Sequence, residues 1–335
     1  MQVAVIGAGI VGLSAALHLS RRGHQVTVFE QFPLFHNRGS SHGRTRIVRR
    51  AYPDAFFTGL MSEAYPMWAE LEALSGVDLV DECGLLYFGS EESPRVVSMV
   101  AALASLGVPH RVLSTRDVGE VFPRLRLRAG EVGVFTPEAG VVQAEKALRA
   151  THALAVGGGV EFIQRRADPM ALGAEFDAVV LAAGAWVPDT APTKPAVTVQ
   201  TFGYAQLDLT GPVWINDDTL GYGFPADEWG AKIGFHQAGP EIHPDDTRPA
   251  ADDQLAAIRE LVAARFGVED CPIVGVETCL YTSYPDEMFR MGWVGDNVLW
   301  VSACSGHGFK LGPWVGRTLA GIVEGAGIPE AFRAR

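Results

Sequence analysis

Gly7, Gly9 and Gly12 stand in GxGxxG order within the segment GAGIVG. That spacing suits close contact with a pyrophosphate. The first glycine permits a tight turn, the second lets the phosphates approach the backbone, and the third lets a helix lie close on a strand. The helix that follows turns free N–H groups and the positive end of its dipole toward the anion. Glu30 comes eighteen residues after Gly12, where a carboxylate can accept hydrogen bonds from a ribose. The motif alone does not separate NAD from FAD, and a glycine turn needed only for packing is the bland alternative. A second concentration is basic: Arg44, Arg46, Arg49 and Arg50 fall within seven residues. As residues alone they read as a basic surface turn. The four cysteines, Cys83, Cys271, Cys279 and Cys304, form no CxxC pair. Neither a zinc site nor a dithiol motif is therefore expected, and a reducing compartment is the simpler setting.

Regular elements must hold these residues. Gln2 to Ile6 is a short apolar run before glycines, a buried parallel strand. Val11, Leu13, Ala16, Leu17 and Leu19 recur at helical spacing until Gly23, and Gln25 to Phe29 forms a second strand, completing a βαβ opening. Amphipathic helices are expected over Phe57 to Leu74, Val96 to Leu106, Gln143 to Ala155 and Ala251 to Phe266, with another from Trp314 to Val323. Asp177 to Gly184 and Val298 to Ser302 read as further buried strands. From Thr198 to Phe235, alternation and turn residues suggest an antiparallel sheet. Cys83 and Cys304 read as ordinary core residues, and Cys271, before Pro272, as a turn residue. The fold expected is α/β, a Rossmann-like dinucleotide-binding domain interleaved with a domain built on a largely antiparallel sheet with helices.

Composition excludes some functions. The formal net charge is -12 over 335 residues, which argues against a nucleic-acid surface, where phosphates need clustered Lys and Arg. No apolar run is long enough to span a bilayer, and the chain opens directly on a strand. The expectation is a cytoplasmic protein without membrane or metal.

Three further segments carry a resemblance: GSSHGRTRIVRRAY (Gly39 to Tyr52), VVLAAGAW (Val179 to Trp186), and TCLYTSYPDEMF (Thr278 to Phe289) with SGHGFKLGP (Ser305 to Pro313). Together with GAGIVG they resemble the monomeric sarcosine oxidase and N-methyltryptophan oxidase family of flavoenzymes, in order from residue 1 to about residue 320. The resemblance implies FAD in a glutathione reductase-type domain made of residues 1–80, 142–197 and 290–330. A substrate domain would comprise 81–141 and 198–289. It implies that Cys279 is joined through sulfur to the flavin 8α-methyl, and that Ser40, Thr45, Gly184, Gly306, His307 and Gly308 line the cofactor. Lys232 would sit over the flavin and activate oxygen, with His42 and Arg46 also on a flavin face. Arg49 and Lys310 resemble a pair that clamps a substrate carboxylate, where a guanidinium gives two parallel donors and a lysine a point charge. Tyr222 and Tyr281 resemble pocket aromatics. His236, at i+4 from Lys232 on the same strand face, lines the site. Arg44 departs from the pattern, standing where the family usually has an acidic residue.

The resemblance implies a monomeric oxidase of a secondary amine or N-methyl amino acid. Hydride would pass to flavin N5, the imine would hydrolyse, and O2 would become hydrogen peroxide. Rival readings are an oxidase of a cyclic amino acid, a flavin dehydrogenase with another acceptor, and a nucleotide-binding protein without redox activity.

Overall fold

The computed structural model describes residues 1–189, 193–236 and 239–334. Strand Gln2–Ile6 is buried from Val3 onward and turns at Gly7 into helix Ile10–Arg21. Strand Gln25–Glu30 then returns parallel to the first. Val3, Val5 and Leu13 have no exposed surface, and each such side chain stabilises the fold by about 1.5–3 kcal/mol relative to exposure. The first strand lies inside a six-stranded sheet. The order is Arg290–Val294, Val298–Ser302, Ala178–Leu181, Gln2–Ile6, Gln25–Glu30 and Glu161–Gln164. All neighbours are parallel except the edge strand Arg290–Val294. The central strands are apolar on both faces, as a covered parallel sheet requires.

An eight-stranded sheet forms the second layer. Its order is Ile273–Ser283, Ala196–Ala205, Ala231–Phe235, Gly221–Gly223, Val213–Asn216, Leu85–Ser90, Glu131–Thr136 and Arg111–Leu113. Its pairs are antiparallel, save Val213–Asn216 with Leu85–Ser90. Helix Asp252–Phe266 packs on this sheet and sends Arg265 into a buried, two-pronged ion pair with Glu131, at 2.7 and 2.8 Å.

The expected helices persist with ends moved by one or two residues, as Ala55–Ser75, Pro94–Ser105, Ala144–Gly157, Asp252–Phe266 and Gly312–Val323. Several strands lie outside the expectation, among them Arg111–Leu113, Ala139–Gln143, Ile273–Ser283 and Arg290–Val294, and two more show why. Part of the arginine-rich segment is not a turn: Thr45–Arg49 is a strand paired antiparallel with Ala139–Gln143. Its partner lies some ninety residues away, where local pattern cannot see it. Glu161–Gln164 is a four-residue edge strand with little burial, and its apolar run, Phe162–Ile163, is short. Among the described residues, no helix is long and apolar enough to cross a membrane.

Candidate active site

One cavity of about 900 Å³ runs from the first glycine turn to Lys310. At the near end Gly7 has a φ of +103°, and a Cβ there would meet the Ala182 carbonyl oxygen at 2.5 Å. Only glycine fits both demands. Gly9 caps the helix without a side-chain hydrogen bond of its own, and the Ile10 N–H donates to Ser41 Oγ at 3.1 Å. Gly12 does not line the cavity. It lies one turn along, where a Cβ would press on Gly7, and so serves the packing of helix on strand. Glu30 ends its strand in the cavity wall and accepts from the N–H groups of Ala8 at 2.8 Å and Phe32 at 3.0 Å. Burial alone would raise its carboxyl. A hydrogen bond from His36 and the two backbone donors outweigh this and hold it below the usual range, so Glu30 is an anion poised to accept. Gly184 lines the same end.

The loop from Gly39 and the strand Thr45–Arg49 form one wall further in. Arg46 donates to three backbone carbonyls, of Ser40 at 2.8 Å, His42 at 2.5 Å and Thr45 at 2.8 Å. Its guanidinium thus folds this loop about itself. The residue that breaks the family pattern is compensated. Arg44 pairs with Asp227 at 3.0 Å and Glu228 at 2.6 Å, its guanidinium 5.1 Å from the Trp229 ring centre.

Lys232 is buried on strand Ala231–Phe235. Its Nζ donates to the Thr45 carbonyl at 3.0 Å and lies 4.2 Å from the centre of the Phe202 ring. Burial, and then Arg46, push its pKa down to about 7 against the opposing pull of Cys279 and nearby carboxylates. Cys279 and Tyr281 alternate on strand Ile273–Ser283 and face the cavity. Burial pushes the Cys279 thiol up, while Arg46 and Lys232 draw it down. Tyr222 and Tyr281 are held protonated, first by burial.

Lys310, also in the wall, is buried, donating to the His307 carbonyl at 3.2 Å and the Tyr52 hydroxyl at 3.3 Å. Trp68 Nε1 donates to the Lys310 carbonyl at 2.9 Å and fixes this turn. The guanidinium of Arg49 lies 3.9 Å from the Tyr52 ring centre, and its Nη1 donates to the Ala51 carbonyl. Gly306 has a φ of +70°, and a Cβ there would meet the His236 ring at 2.5 Å. The glycine therefore leaves room for His236 and Tyr281, whose rings are 5.5 Å apart. His307 and Gly308 complete this wall.

The model of the FAD-dependent oxidoreductase family matches residues 2–322. The chain belongs to this family. It is 33% identical to the peroxisomal sarcosine oxidase of Mus musculus, over 94% of this chain and 90% of that protein. It is 30% identical to the monomeric sarcosine oxidase of Streptomyces avermitilis, over 96% and 92%. Among solved structures, NikD, an amino acid oxidase of nikkomycin biosynthesis, superposes with a TM-score of 0.81 at 22% identity, covering 96% of this chain and 93% of that one. An L-proline dehydrogenase from P. horikoshii gives 0.83 at 20% identity, over 96% and 92%. At these identities the two structures speak for the fold. The chain is thus an oxidoreductase with FAD as its cofactor.

The cavity fits an FAD. It is continuous, and its wall holds a buried polar atom, Ser40 Oγ, with no partner among the described residues. Such atoms call for a ligand or water. Every residue expected at the site lines this cavity except Gly12. Other lining residues carried no expected role: His36 beside Glu30, Tyr52 between Arg49 and Lys310, and Glu287, 3.9 Å from His236. Tyr52 and Glu287 sit inside the motif segments, which was the available signal. Cys304 corrects an expectation. It is half-buried in the cavity wall rather than in the core. Cys271 is buried.

Burial, followed by Arg49 and Arg46, drives the Lys310 pKa well below the ordinary lysine value. An incoming carboxylate favours the charged form. Binding of a carboxylate ligand should therefore take up protons over the pH range in which free Lys310 is partly neutral. Calorimetry in buffers of different ionisation enthalpy would measure it, and a buffer-independent heat would contradict it.

Proposed function

We propose that this enzyme oxidises an N-methyl or other secondary amino acid, with O2 as the electron acceptor and hydrogen peroxide as the product. The observation that carries this reading is the placement of two basic side chains, Arg49 and Lys310, both against Tyr52. Both line the cavity that the dinucleotide turn also lines. The names of the relatives at 30% identity and above support it. Bound FAD supplies a two-electron acceptor for hydride from the carbon next to nitrogen. Arg49 and Lys310 grip the substrate carboxylate and so orient that carbon. Tyr222, Tyr281 and His236 wall the amine and exclude water. No residue is needed as an obligatory base, since a neutral amine gives up hydride without one. His42 is pushed down to about 3, by burial and then by Arg46, Arg248 and Lys232, and so stays neutral across the working range. Water hydrolyses the imine. For an N-methyl substrate the products are formaldehyde and the primary amine.

The testing experiment is a peroxide screen over N-methyl, cyclic and simple amines under air. Peroxide from sarcosine-like acids supports the reading, and its absence from every amine would refute it. Arg49→Ala should lower kcat/KM for carboxylated amines about 10- to 100-fold, because one of two clamping charges is lost. Simple amines should change little. Equal losses for both classes would place the clamp elsewhere.

We further propose Cys279 as the site of covalent FAD attachment. Its thiol faces the cavity beside two cations that stabilise a thiolate. Acid-precipitated protein should stay yellow, and Cys279→Ala protein should release its colour. Free flavin from the native protein would rule the bond out.

A further inference from the structure

A second, smaller cavity of about 450 Å³ shares a single lining residue with the large one, His42. Its rim is exposed, formed by Asn37, Asp246, Thr247 and Val276. Its floor is the half-buried pair His42 and Arg248. Arg248 Nη2 donates to the Asn37 carbonyl at 3.2 Å. Two floor atoms, Arg248 Nη1 and His42 Nε2, are buried without a partner among the described residues. On the wall, Glu277 accepts from the Tyr204 hydroxyl at 2.9 Å. Donors and acceptors thus line a hollow that opens outward, while its floor is one side chain away from the large cavity. Polar atoms left unpaired in such a place are met by water or a small polar molecule.

The oxidase reaction proposed for the large cavity needs such a place, and a role for the hollow rests on that reading. Oxidation of the amine to an imine releases two electrons and two protons, and together these reduce one O2 to one H2O2. While the clamp at Arg49 and Lys310 holds an amino acid, small molecules must come and go on another side. Lys232 donates to the Thr45 carbonyl, which Arg46 ties to the His42 carbonyl, so Lys232 and His42 belong to one hydrogen-bonded cluster. The second hollow is lined by His42, Asp246, Arg248 and Glu277. It suits water, O2 and hydrogen peroxide.

We propose that this hollow is a second entrance to the active site, by which O2 arrives and hydrogen peroxide leaves at His42 and Lys232, with His42 as the partition. The test uses the FAD-loaded enzyme and pyrrole-2-carboxylate, a ligand with no α C–H to oxidise. Diethyl pyrocarbonate should modify His42, read by peptide mass, equally fast with and without that ligand. Thr247→Trp and Asn37→Trp narrow the rim, and each should slow the modification at least about fivefold. The same variants should slow reoxidation of the reduced enzyme by O2 to a similar extent and leave anaerobic reduction by the amine unchanged. Protection of His42 by pyrrole-2-carboxylate would overturn the proposal. So would rim variants that modify and reoxidise at the native rates. Should no amine yield peroxide, the oxidase reading fails instead, and the His42 modification still reports whether the entrance exists.

Discussion

Lys232→Met should slow the reaction of the reduced enzyme with O2 about 10²- to 10³-fold, the usual loss when a preorganised charge is removed from a developing anion. Anaerobic reduction by the amine should change far less. The reason is placement. The ammonium is buried, hydrogen-bonded to the Thr45 carbonyl, and set against the Phe202 and Phe224 rings. In such a place a charge would act on superoxide, as it forms in the proposed reaction, with little screening. The pKa of about 7 gives the same residue a pH signature. Lys232 is charged below that value and neutral above it. The rate constant with O2 should therefore fall as pH rises through about 7 in the native enzyme, and should be flat there in the methionine variant. Stopped-flow reoxidation of photoreduced enzyme measures both. Equal slowing of the two half-reactions would remove the oxygen role from Lys232.

Arg265→Leu should destabilise the protein by about 3–5 kcal/mol, the usual cost of stranding one partner of a buried ion pair. Arg265 is 1% exposed and meets Glu131 through both prongs of its guanidinium. The pair fastens helix Asp252–Phe266 to strand Glu131–Thr136. In the native protein, burial pushes the Glu131 carboxyl up, yet Arg265 and the Arg128 N–H outweigh it and bring the pKa below its ordinary value. That stabilisation is present above the unfolded carboxyl pKa and is lost as pH falls through the lower folded value. Without Arg265 the sign reverses. Burial wins, the folded pKa rises, and the loss of stability deepens as pH climbs from acid to neutral. Urea melts at several pH values would show this. Arg265→Leu/Glu131→Leu should recover most of the loss. A double variant as weak as the single would mean that the pair is not what holds the helix.

The sequence was most legible where its signals are local. The glycine turn, the helix behind it and Glu30 lie within thirty residues, and the backbone follows them closely. The motif segments led to the cavity because their residues converge there from distant strands. Non-local relations were hidden. Nothing near Thr45–Arg49 announces its partner strand, so the arginines read as a basic turn. Arg265 looks like any helix arginine until Glu131 is seen opposite. Cys304 is as apolar as a core residue, and only the path of its turn brings it to the cavity. Arg248 falls in a polar stretch without a motif, and its place under the second hollow follows from tertiary packing alone.

The order of the parallel sheet also bears on how this chain is made. Strand Gln2–Ile6 is made before the other strands of its sheet, yet its neighbour Ala178–Leu181 follows well over a hundred residues later, and Val298–Ser302 later still. Until then the nascent sheet has one apolar edge with nothing to pair with. Such an edge invites pairing with other chains. Slow translation between the second and last of these strands should therefore lower the yield of protein that can take up its cofactor.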